Sequence, residues 1–276
     1  MQHTRQHSFY TACDKAGKQV NKQFYWYHTI DLGNDLVTPG VFDYRENIGK
    51  YCFPENMTGK SVLDVGAATG FFSFEFARLG AKVTATELPS LYELDTFPGQ
   101  KKNDILKKAE KYSNIYLYEQ SSELNLEYLY KTMLKEPFEF CSKVLDIPIE
   151  RKFVTIYNFS EETLGKKSFD IVFLGDVLLH TINPLAAIAS AAAMCSDRLI
   201  IAQHLNEDEY NIPILQYTGG QYPDDDVSAW WKPNFEWFSQ ILLKLGFKSI
   251  EITGSFDDLF IPNNHSERKT IIHARR

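Results

Sequence analysis

Four residues in the first half of the chain have the types and spacing of a nucleotide-type binding site. Asp64 lies near the end of an apolar run, Gly66 and Gly70 follow it, and Glu87 comes 21 positions after Gly66. Gly66 allows the backbone to turn sharply and approach a ligand, and Gly70 opens the next helix with little steric bulk. A carboxylate at the spacing of Glu87 suits hydrogen bonds from ribose hydroxyl groups.

Two other interpretations of this glycine turn stay open. Many glycine turns between a strand and a helix bind nothing. A dinucleotide site would favour G-x-G-x-x-G, but counting from Gly66 the second glycine is replaced by Ala68 and the third by Phe71. Asp64 would also face a diphosphate unfavourably, whereas it suits an ammonium group.

The elements that must position these residues alternate between strand and helix patterns. Strands are predicted at 61–65, 82–86, 153–157, 169–174, 199–202, 248–252 and 269–273. Helices are predicted at 71–79, 184–194 and 234–245. This alternation predicts an α/β fold with a Rossmann-like, doubly wound, mostly parallel sheet, and the last two strands predict an antiparallel edge.

Two regions extend this predicted domain. Residues 1–58 are polar, then aromatic, then rich in turn residues, and we expect them to form an N-terminal lid or extension. Residues 59–276 form the main domain, with a helical insertion at about 95–150, where lysine- and glutamate-rich sequence carries apolar residues three or four positions apart.

The composition is that of a globular protein with one acidic region. Of the 276 residues, 44% are hydrophobic and 24% are charged, which excludes a disordered or fibrous protein. The net charge is −7, and residues 161–230 alone carry −8, from eleven acidic and three basic residues. We expect this region to lie at the substrate entrance, where it would repel polyanions such as nucleic acids.

The remaining sequence features favour a cytoplasmic protein. The four cysteines have no short metal-ligand or redox spacing and are interpreted as free thiols. The N-terminus has no apolar signal region, and the longest apolar stretch is too short to cross a membrane. The acidic triplets 207–209 and 224–226 lack the spacing of a calcium loop, so we expect no metal site.

The turn resembles a known family. The pattern D-x-G-x-x-T-G, followed by an acid at the end of the second strand, is similar to that of class I S-adenosylmethionine (SAM)-dependent methyltransferases. Further stretches resemble the branch that contains the tRNA wobble-uridine (5-methoxy/5-carboxymethoxyuridine) methyltransferases. They are 26–33, 38–40, 70–75, 169–180, 184–185 and 230–234. The resemblance covers residues from about 24 to about 252 and implies SAM as the cofactor.

The resemblance also implies a role for each matching position. The SAM amino-acid part would lie on the turn, the ribose on Glu87, and the methyl-transfer channel beside Gly175 and Asp176. The implied cofactor-binding residues are Asp64, Gly66, Ala67, Gly70, Phe71, Glu87, Leu88, Pro89, Tyr157, Asn158, Gly175 and Asp176.

Three histidines are candidates for a base that removes a proton from the acceptor. His180 follows Asp176 by four positions, which places both on one face of a predicted helix. His28 lies in the N-terminal aromatic segment, and His204 follows the fifth strand. Each of them could instead be a hydrogen-bonded structural histidine.

Four aromatic residues are candidates for the roof of a substrate pocket. Trp26, Tyr27, Trp230 and Trp231 could contact a cationic sulfonium or amine through their ring faces. The alternative is that these rings only pack the N-terminal lid onto the C-terminal loop.

The sequence therefore predicts a SAM-dependent methyltransferase that acts on an oxygen or nitrogen atom of a small molecule. Methylation of a tRNA wobble uridine is the alternative, although the acidic segment 161–230 and a shorter N-terminal portion than in the tRNA-modifying members disfavour it. A second alternative is a SAM-binding module without catalysis. The oligomeric state does not follow from the sequence.

Overall fold

The computed structural model describes residues 2–101, 126–207, 211–222 and 229–276. Its strands are β1 (Ser61–Val65), β2 (Lys82–Glu87), β3 (Glu150–Phe153), β4 (Phe169–Gly175), β5 (Cys195–His204), β6 (Leu215–Tyr217), β7 (Trp231–Pro233), β8 (Ser249–Phe260) and β9 (His265–Arg275). Seven of them form one sheet in the order β3-β2-β1-β4-β5-β9-β8. The strands β1 to β5 are parallel, and β9 is antiparallel to β5 and β8, which confirms the predicted sheet.

Helices pack around this sheet. They are α1 (Gln2–Lys15), α2 (Phe71–Arg78), α3 (Leu126–Tyr130), α4 (Glu136–Leu145), α5 (Glu161–Leu164), α6 (Pro184–Ala193) and α7 (Phe235–Lys244). Asparagine caps define two of the helix starts: Asn183 Oδ1 accepts a hydrogen bond from Ala186 N at 3.1 Å, and Asn234 Oδ1 accepts one from Trp237 N at 3.0 Å. The three helices predicted from apolar spacing are therefore present, within one residue at each end.

The strand predicted at 153–157 is wrong in position. The structure places β3 at Glu150–Phe153, where it pairs with β2 at the edge of the sheet. An edge strand needs little apolar sequence, and the charged side chains of β3 hide it from a pattern search. The more apolar residues that follow leave the sheet after Val154, and 156–158 form a 3₁₀ turn.

The order in which successive strands are added to the sheet reverses at β1. This strand pairs with β2 on one side and with β4 on the other, so the connections on its two sides cover opposite faces. A crevice forms at the carboxyl ends of the strands where the order reverses in this way, and ligands of doubly wound sheets bind there. Val62 to Val65 are all buried, so the strand that leads into the crevice is held by the core.

The N-terminal segment packs onto the domain at several points. Trp26 is buried against Phe9, Phe24 and Phe140, the last of which belongs to α4. His28 N donates to Thr69 Oγ1 at 3.0 Å, which ties the segment to the glycine turn. The division of the chain at residue 58 stays a prediction.

The predicted helical insertion is partly described. Residues 126–145 are helical, with a π-helical turn at Lys131–Lys135 between α3 and α4. Residues 102–125, which belong to the same prediction, lie outside the described residues.

The described part of the chain contains no helix that is long and apolar enough to cross a membrane. Within the same residues, no group of three or more histidines, cysteines or acids is placed to hold a metal ion.

Candidate active site

A cavity of about 330 Å³ lies at the carboxyl ends of β1, β2 and β4. The turn after β1, Glu87 at the end of β2 and Asp176 after β4 line it, and Tyr27 and His28 of the N-terminal segment close it from another side. The crevice expected from the strand order is therefore a formed cavity.

The turn from β1 to α2 approaches the cavity with backbone that favours glycine. Gly66 has φ of 68° and Gly70 has φ of 95°, both in the left-handed region. A Cβ atom on Gly70 would lie 2.7 Å from the Phe138 ring. Ala68, between them, also has a positive φ of 48°. The turn thus places backbone rather than side chains next to the cavity.

Glu87 lies across this turn at the end of β2. Its Oε2 accepts a hydrogen bond from Ala68 N at 3.0 Å, and its Oε1 accepts one from Leu88 N at 2.9 Å. Burial raises the pKa of the Glu87 carboxyl, although the Leu88 N–H and the charge of Arg151 oppose the change. A carboxylate fixed in this way can accept hydrogen bonds from the hydroxyl groups of a ligand.

Asp64 is the second acid at this end of the cavity. It is buried in β1, and Ser73 Oγ donates a hydrogen bond to its Oδ2 at 2.5 Å. Burial raises the pKa of Asp64 to about 7, with the Ser73 hydrogen bond acting against the shift and the charge of Glu87 adding to it. A ligand cation beside Asp64 would stabilise its ionised form.

A family model described as a methyltransferase domain matches residues 43–250, about three quarters of the chain. The chain belongs to this methyltransferase family. A search of curated protein sequences finds no match.

Solved structures to which this chain is similar include methyltransferases with bound ligands. The N-terminal domain of EvdMO1 with S-adenosylhomocysteine (SAH) is 14% identical, covers 91% of each chain and has a TM-score of 0.55. Magnesium protoporphyrin IX methyltransferase from Synechocystis PCC 6803 with SAH is 16% identical, with 80% of this chain and 76% of that chain covered and a TM-score of 0.46. The 1,6-didemethyltoxoflavin-N1-methyltransferase of Burkholderia thailandensis is 14% identical, with 79% and 72% covered and a TM-score of 0.43.

These findings confirm the predicted fold and enzyme class of this methyltransferase domain. SAH is what remains of SAM after its methyl group has left, so its presence in a structure of the same fold agrees with the cofactor expected from the sequence.

The methyltransferase cavity brings together part of the predicted cofactor-binding set. Those on its wall are Asp64, Gly66, Glu87, Leu88, Tyr157, Gly175 and Asp176. Those that are not on its wall are Ala67, Gly70, Phe71, Pro89 and Asn158. Phe71 is buried against Tyr44 in the core, whereas Pro89 and Asn158 are exposed, and contact of these side chains with the cofactor stays a prediction. Ala67 and Gly70 belong to the turn but not to the cavity wall, and Gly70 N donates a hydrogen bond to Ala67 O.

His28 is on the cavity wall and is the most deeply buried of the three candidate bases. Burial and the charge of Lys269 lower its pKa to about 3, so it is a neutral imidazole near pH 7. Its Nδ1 is buried and has no hydrogen-bond partner within the residues described. A neutral ring with a free nitrogen can bind a polar group of a ligand.

The other two histidines differ from expectation in their positions. His180 lines the cavity, but it ends a 3₁₀ turn (Leu178–His180), so Asp176 and His180 do not share the face of an α-helix. His204 ends β5 and lies outside the cavity wall, with Nε2 3.4 Å from Asp258 and Nδ1 3.4 Å from Glu267. A role for His204 as the base stays a prediction.

The predicted aromatic roof is reduced to one residue. Tyr27 lines the cavity, whereas Trp26, Trp230 and Trp231 do not. Trp26 packs in the lid core, the Trp230 backbone N donates to Leu179 O at 2.9 Å, and Trp231 packs against Tyr217. The rings of Trp26 and Trp231 thus pack against other aromatic side chains, as the packing alternative expects.

The sequence analysis missed a buried lysine next to the cavity. Lys269 in β9 is 1% exposed, bonds to Asp176, lies 2.6 Å from Asp258 Oδ2 and donates to Tyr44 Oη at 2.8 Å. Burial would lower the pKa of Lys269, but the carboxylates of Asp176 and Asp258 raise it above its usual value. The sequence signal was a lysine at the start of the predicted strand 269–273, two positions before the apolar pair Ile271 and Ile272.

Proposed function

We propose that the protein is a SAM-dependent methyltransferase that transfers a methyl group to an oxygen or nitrogen atom of a small molecule. The observation that carries the proposal is the meeting of the glycine turn, Asp64 and Glu87 at one end of a cavity in a methyltransferase domain. The SAH bound to the EvdMO1 domain, which has the same fold, supports SAM as the cofactor.

The residues present fit SAM. Gly66 lines the cavity with a positive φ and suits the amino-acid part of the cofactor, and Asp64, which is buried beside it with a raised pKa, suits the ammonium group. Glu87 is oriented by two backbone N–H groups and suits the ribose hydroxyls. Leu88 and Tyr157 on the same cavity wall suit the adenine ring. When bound, SAM supplies a methyl group on a positively charged sulfur.

The chain itself contributes orientation and exclusion of water. Phe72, Phe159 and Phe173 line the cavity, so an acceptor that enters it leaves much of its water behind. Alignment of two reactants in such a site accounts for a large share of the acceleration of a bimolecular transfer. His28 and His180 on the wall stay the candidates for a base, and we propose no such role for His204.

The charge of the cavity favours a neutral or cationic acceptor. Among the residues that the structure describes, five carboxylic acids and no lysine or arginine line the wall. The acids are Asp64, Glu87, Glu93, Asp95 and Asp176. A phosphate group would meet no positive partner there, whereas RNA binding depends on phosphate contacts from lysine and arginine. The acidic segment 161–230 adds to this repulsion.

A tRNA wobble uridine is the second candidate acceptor. It is supported by the resemblance of stretches such as 26–33, 169–180 and 230–234 to the tRNA-modifying branch. The cavity charge weighs against it. A SAM-binding module without catalysis is the third candidate and would bind SAM without transfer to any acceptor.

The test uses SAM with a labelled methyl group. The pure protein is incubated with it and a cell extract, and the label is then measured in the RNA and the small-molecule fractions. We expect label in the small-molecule fraction, which also yields a mass for the product. Label in RNA would contradict the proposal and favour the wobble uridine. Bound SAM without label in either fraction would favour the non-catalytic module.

A further inference from the structure

A cluster of charges is buried beside the cavity. Lys269 lies between two carboxylates. Asp176 directly follows β4, and Asp258 belongs to β8. The N-terminal segment covers the cluster, since the Tyr44 ring lies 4.5 Å from Lys269 Nζ and Tyr51 is fully buried nearby. One lysine and two carboxylates leave one negative charge in excess in this part of the interior.

Burying such a cluster of charges has a cost in the free energy of folding. Removing charges from water costs several kcal/mol per ion, and well-packed apolar residues often stabilise a fold at least as well as a buried ion pair does. Stability alone is therefore a weak explanation for Lys269. What the cluster does achieve is to hold Asp176 in one place.

Asp176 is fixed from three strands. It follows directly after β4, its backbone N donates to Ala202 O of β5 at 2.9 Å, and its Oδ2 bonds to Lys269 of β9. Its φ is 51°, in the left-handed region that few side chains adopt. The position of the carboxylate is thus determined by both backbone and side-chain contacts.

One oxygen of this fixed carboxylate is unused. Asp176 lines the cavity, and its Oδ1 is buried without a hydrogen-bond partner in the residues described. His28 lines the same cavity, and its Nδ1 is also buried without a hydrogen-bond partner in the residues described. Buried polar atoms are nearly always paired, so two free ones on one cavity wall indicate a polar ligand.

These free atoms lie at the end of the cavity that the N-terminal segment and the residues after β4 form, next to the glycine turn. His28 N donates to Thr69 Oγ1 of this turn, and a Cβ atom on Gly66 would lie 3.0 Å from Val177 Cγ2. Tyr27 and Tyr44 are within electrostatic reach of Asp176. Asp64 and Glu87 are instead within reach of Arg151. The charges thus form two separate groups, and Asp176 belongs to the one beside the N-terminal segment.

We propose that Asp176, positioned by Lys269, binds the N–H or O–H group of the methyl acceptor through its free Oδ1. This inference rests on the proposed function and narrows its substrate class. The acceptor is an amine or a hydroxyl compound with no anionic group at the end that receives the methyl group. The sequence resemblance places Asp176 beside the methyl-transfer channel and in the cofactor-binding set, and this inference assigns its free oxygen to the acceptor. Lys269 is a positioning residue, since it acts through Asp176.

The test needs no knowledge of the acceptor. Sinefungin is a SAM analogue that bears an amine where SAM bears its transferable methyl group, and SAH has nothing at that position. Calorimetric affinities of both are measured for the wild type, for Asp176→Asn and for Asp258→Asn. The last variant is the matched control, because it also leaves Lys269 with a single carboxylate but alters no residue of the cavity wall.

We expect the wild type to prefer sinefungin over SAH by about tenfold, the size of one charge-assisted hydrogen bond. Asp176→Asn should abolish this preference and change the SAH affinity by less than about threefold, whereas Asp258→Asn should keep the preference. The inference is overturned if Asp176→Asn keeps the preference, if both variants lose it equally, or if Asp176→Asn weakens SAH and sinefungin alike. A wild type that binds neither compound would contradict the proposed function itself, and this inference with it.

Discussion

The two ends of the cavity hold their carboxylates by different means. At the cofactor end, backbone N–H groups orient Glu87 and a serine hydroxyl orients Asp64, while Arg151 acts only at longer range. At the end that we propose for the acceptor, called the acceptor end below, Lys269 bonds directly to Asp176. Burial raises the pKa of both acids at the first end, and among the described residues no lysine or arginine lines the cavity wall there. The second end contains its own cation.

This difference in how the carboxylates are paired explains how the two ends of one cavity can bind ligand groups of different charge. An end with uncompensated acids is completed by a ligand that carries a positive charge, as the ammonium group of SAM does. An end whose carboxylate is already paired offers a fixed acceptor atom with less net attraction, which suits a neutral hydrogen-bond donor as well as an amine. The predictions below test whether the two ends are separable in this way.

The largest effect should come from Lys269→Met. The substitution leaves the carboxylates of Asp176 and Asp258 buried without their cation, and breaking a buried ion pair by removing one partner costs about 3–5 kcal/mol. We expect the free energy of unfolding, measured by urea denaturation, to fall by that amount.

A matched lysine provides the control for this measurement. Lys232 bonds to Glu267 at 2.5 Å, but both side chains are partly exposed, so Lys232→Met should cost less than about 1 kcal/mol. Addition of Asp258→Asn to Lys269→Met should recover part of the lost stability, because one unpaired carboxylate is removed. Equal losses for the two lysine variants would show that the acceptor end does not depend on its buried cation.

Glu87→Gln tests the cofactor end. The amide cannot accept hydrogen bonds with both of its terminal atoms, so the variant loses one of the two backbone contacts and the charge offered to the ribose. We expect the Kd for SAM, measured by calorimetry, to rise about 100-fold, as for the loss of charged hydrogen bonds of about 1.5–3 kcal/mol.

Its control is another glutamate near the same edge of the sheet. Glu150 in β3 bonds to Thr84 and Lys152 outside the cavity, so Glu150→Gln should leave SAM binding within about twofold of wild type. If the affinity of Glu87→Gln for SAM also stayed at the wild-type level, the ribose assignment would have to be abandoned.

The two ends also differ in how far sequence could predict them. Asp64, Gly66 and Glu87 belong to two adjacent strands and one turn, so their spacing alone indicates a shared site. The acceptor end joins Tyr44, Asp176 and Lys269, and the bond between Tyr44 and Lys269 spans 225 positions. No local pattern encodes such a contact, because it depends on the order of strands in the folded sheet.

The errors of the sequence analysis have physical causes. The third strand was placed at 153–157 because the charged edge strand at 150–153 has no apolar pattern. Asp176 and His180 were placed on one helical face because their spacing is four, but Asp176 has a positive φ that no α-helix accommodates. His204 follows the predicted strand 199–202, but β5 extends to His204, and the sequence does not show that this end of the strand lies beside Asp258.

A change of pH should have a smaller effect on the affinity for SAM. Burial raises the pKa of Asp64 in the folded protein to about 7, above its unfolded value, so the empty protein loses stability as pH rises from about 4 to 7. SAM binding has the opposite dependence, since its ammonium group favours the ionised carboxylate. We expect the affinity for SAM to fall roughly fivefold between pH 7 and pH 6 in calorimetric titrations.

The variant Asp64→Asn tests whether the pH dependence of SAM binding comes from Asp64 or from a neighbouring group. His28 and His273, with pKa values lowered by burial to about 3 and about 4, do not titrate in this interval. The variant should bind SAM more weakly and with little change between pH 6 and pH 7. The same slope in Asp64→Asn as in the wild type would assign the dependence to another group, with Glu87 the nearest acid whose pKa burial raises.

The smallest effect should come from His204→Gln. The imidazole contacts Asp258 and Glu267 at 3.4 Å each and is partly exposed, and ion pairs at such sites contribute about 0–1 kcal/mol. Asp258 keeps its contact with Lys269 in this variant, so Asp176 should keep its position. We therefore expect a loss of stability below about 1 kcal/mol and methyl transfer within about twofold of wild type. A large loss of transfer with unchanged stability and SAM binding would mean that the acceptor end extends through Asp258 to the surface, and that Lys269 links His204 to the cavity rather than merely holding Asp176.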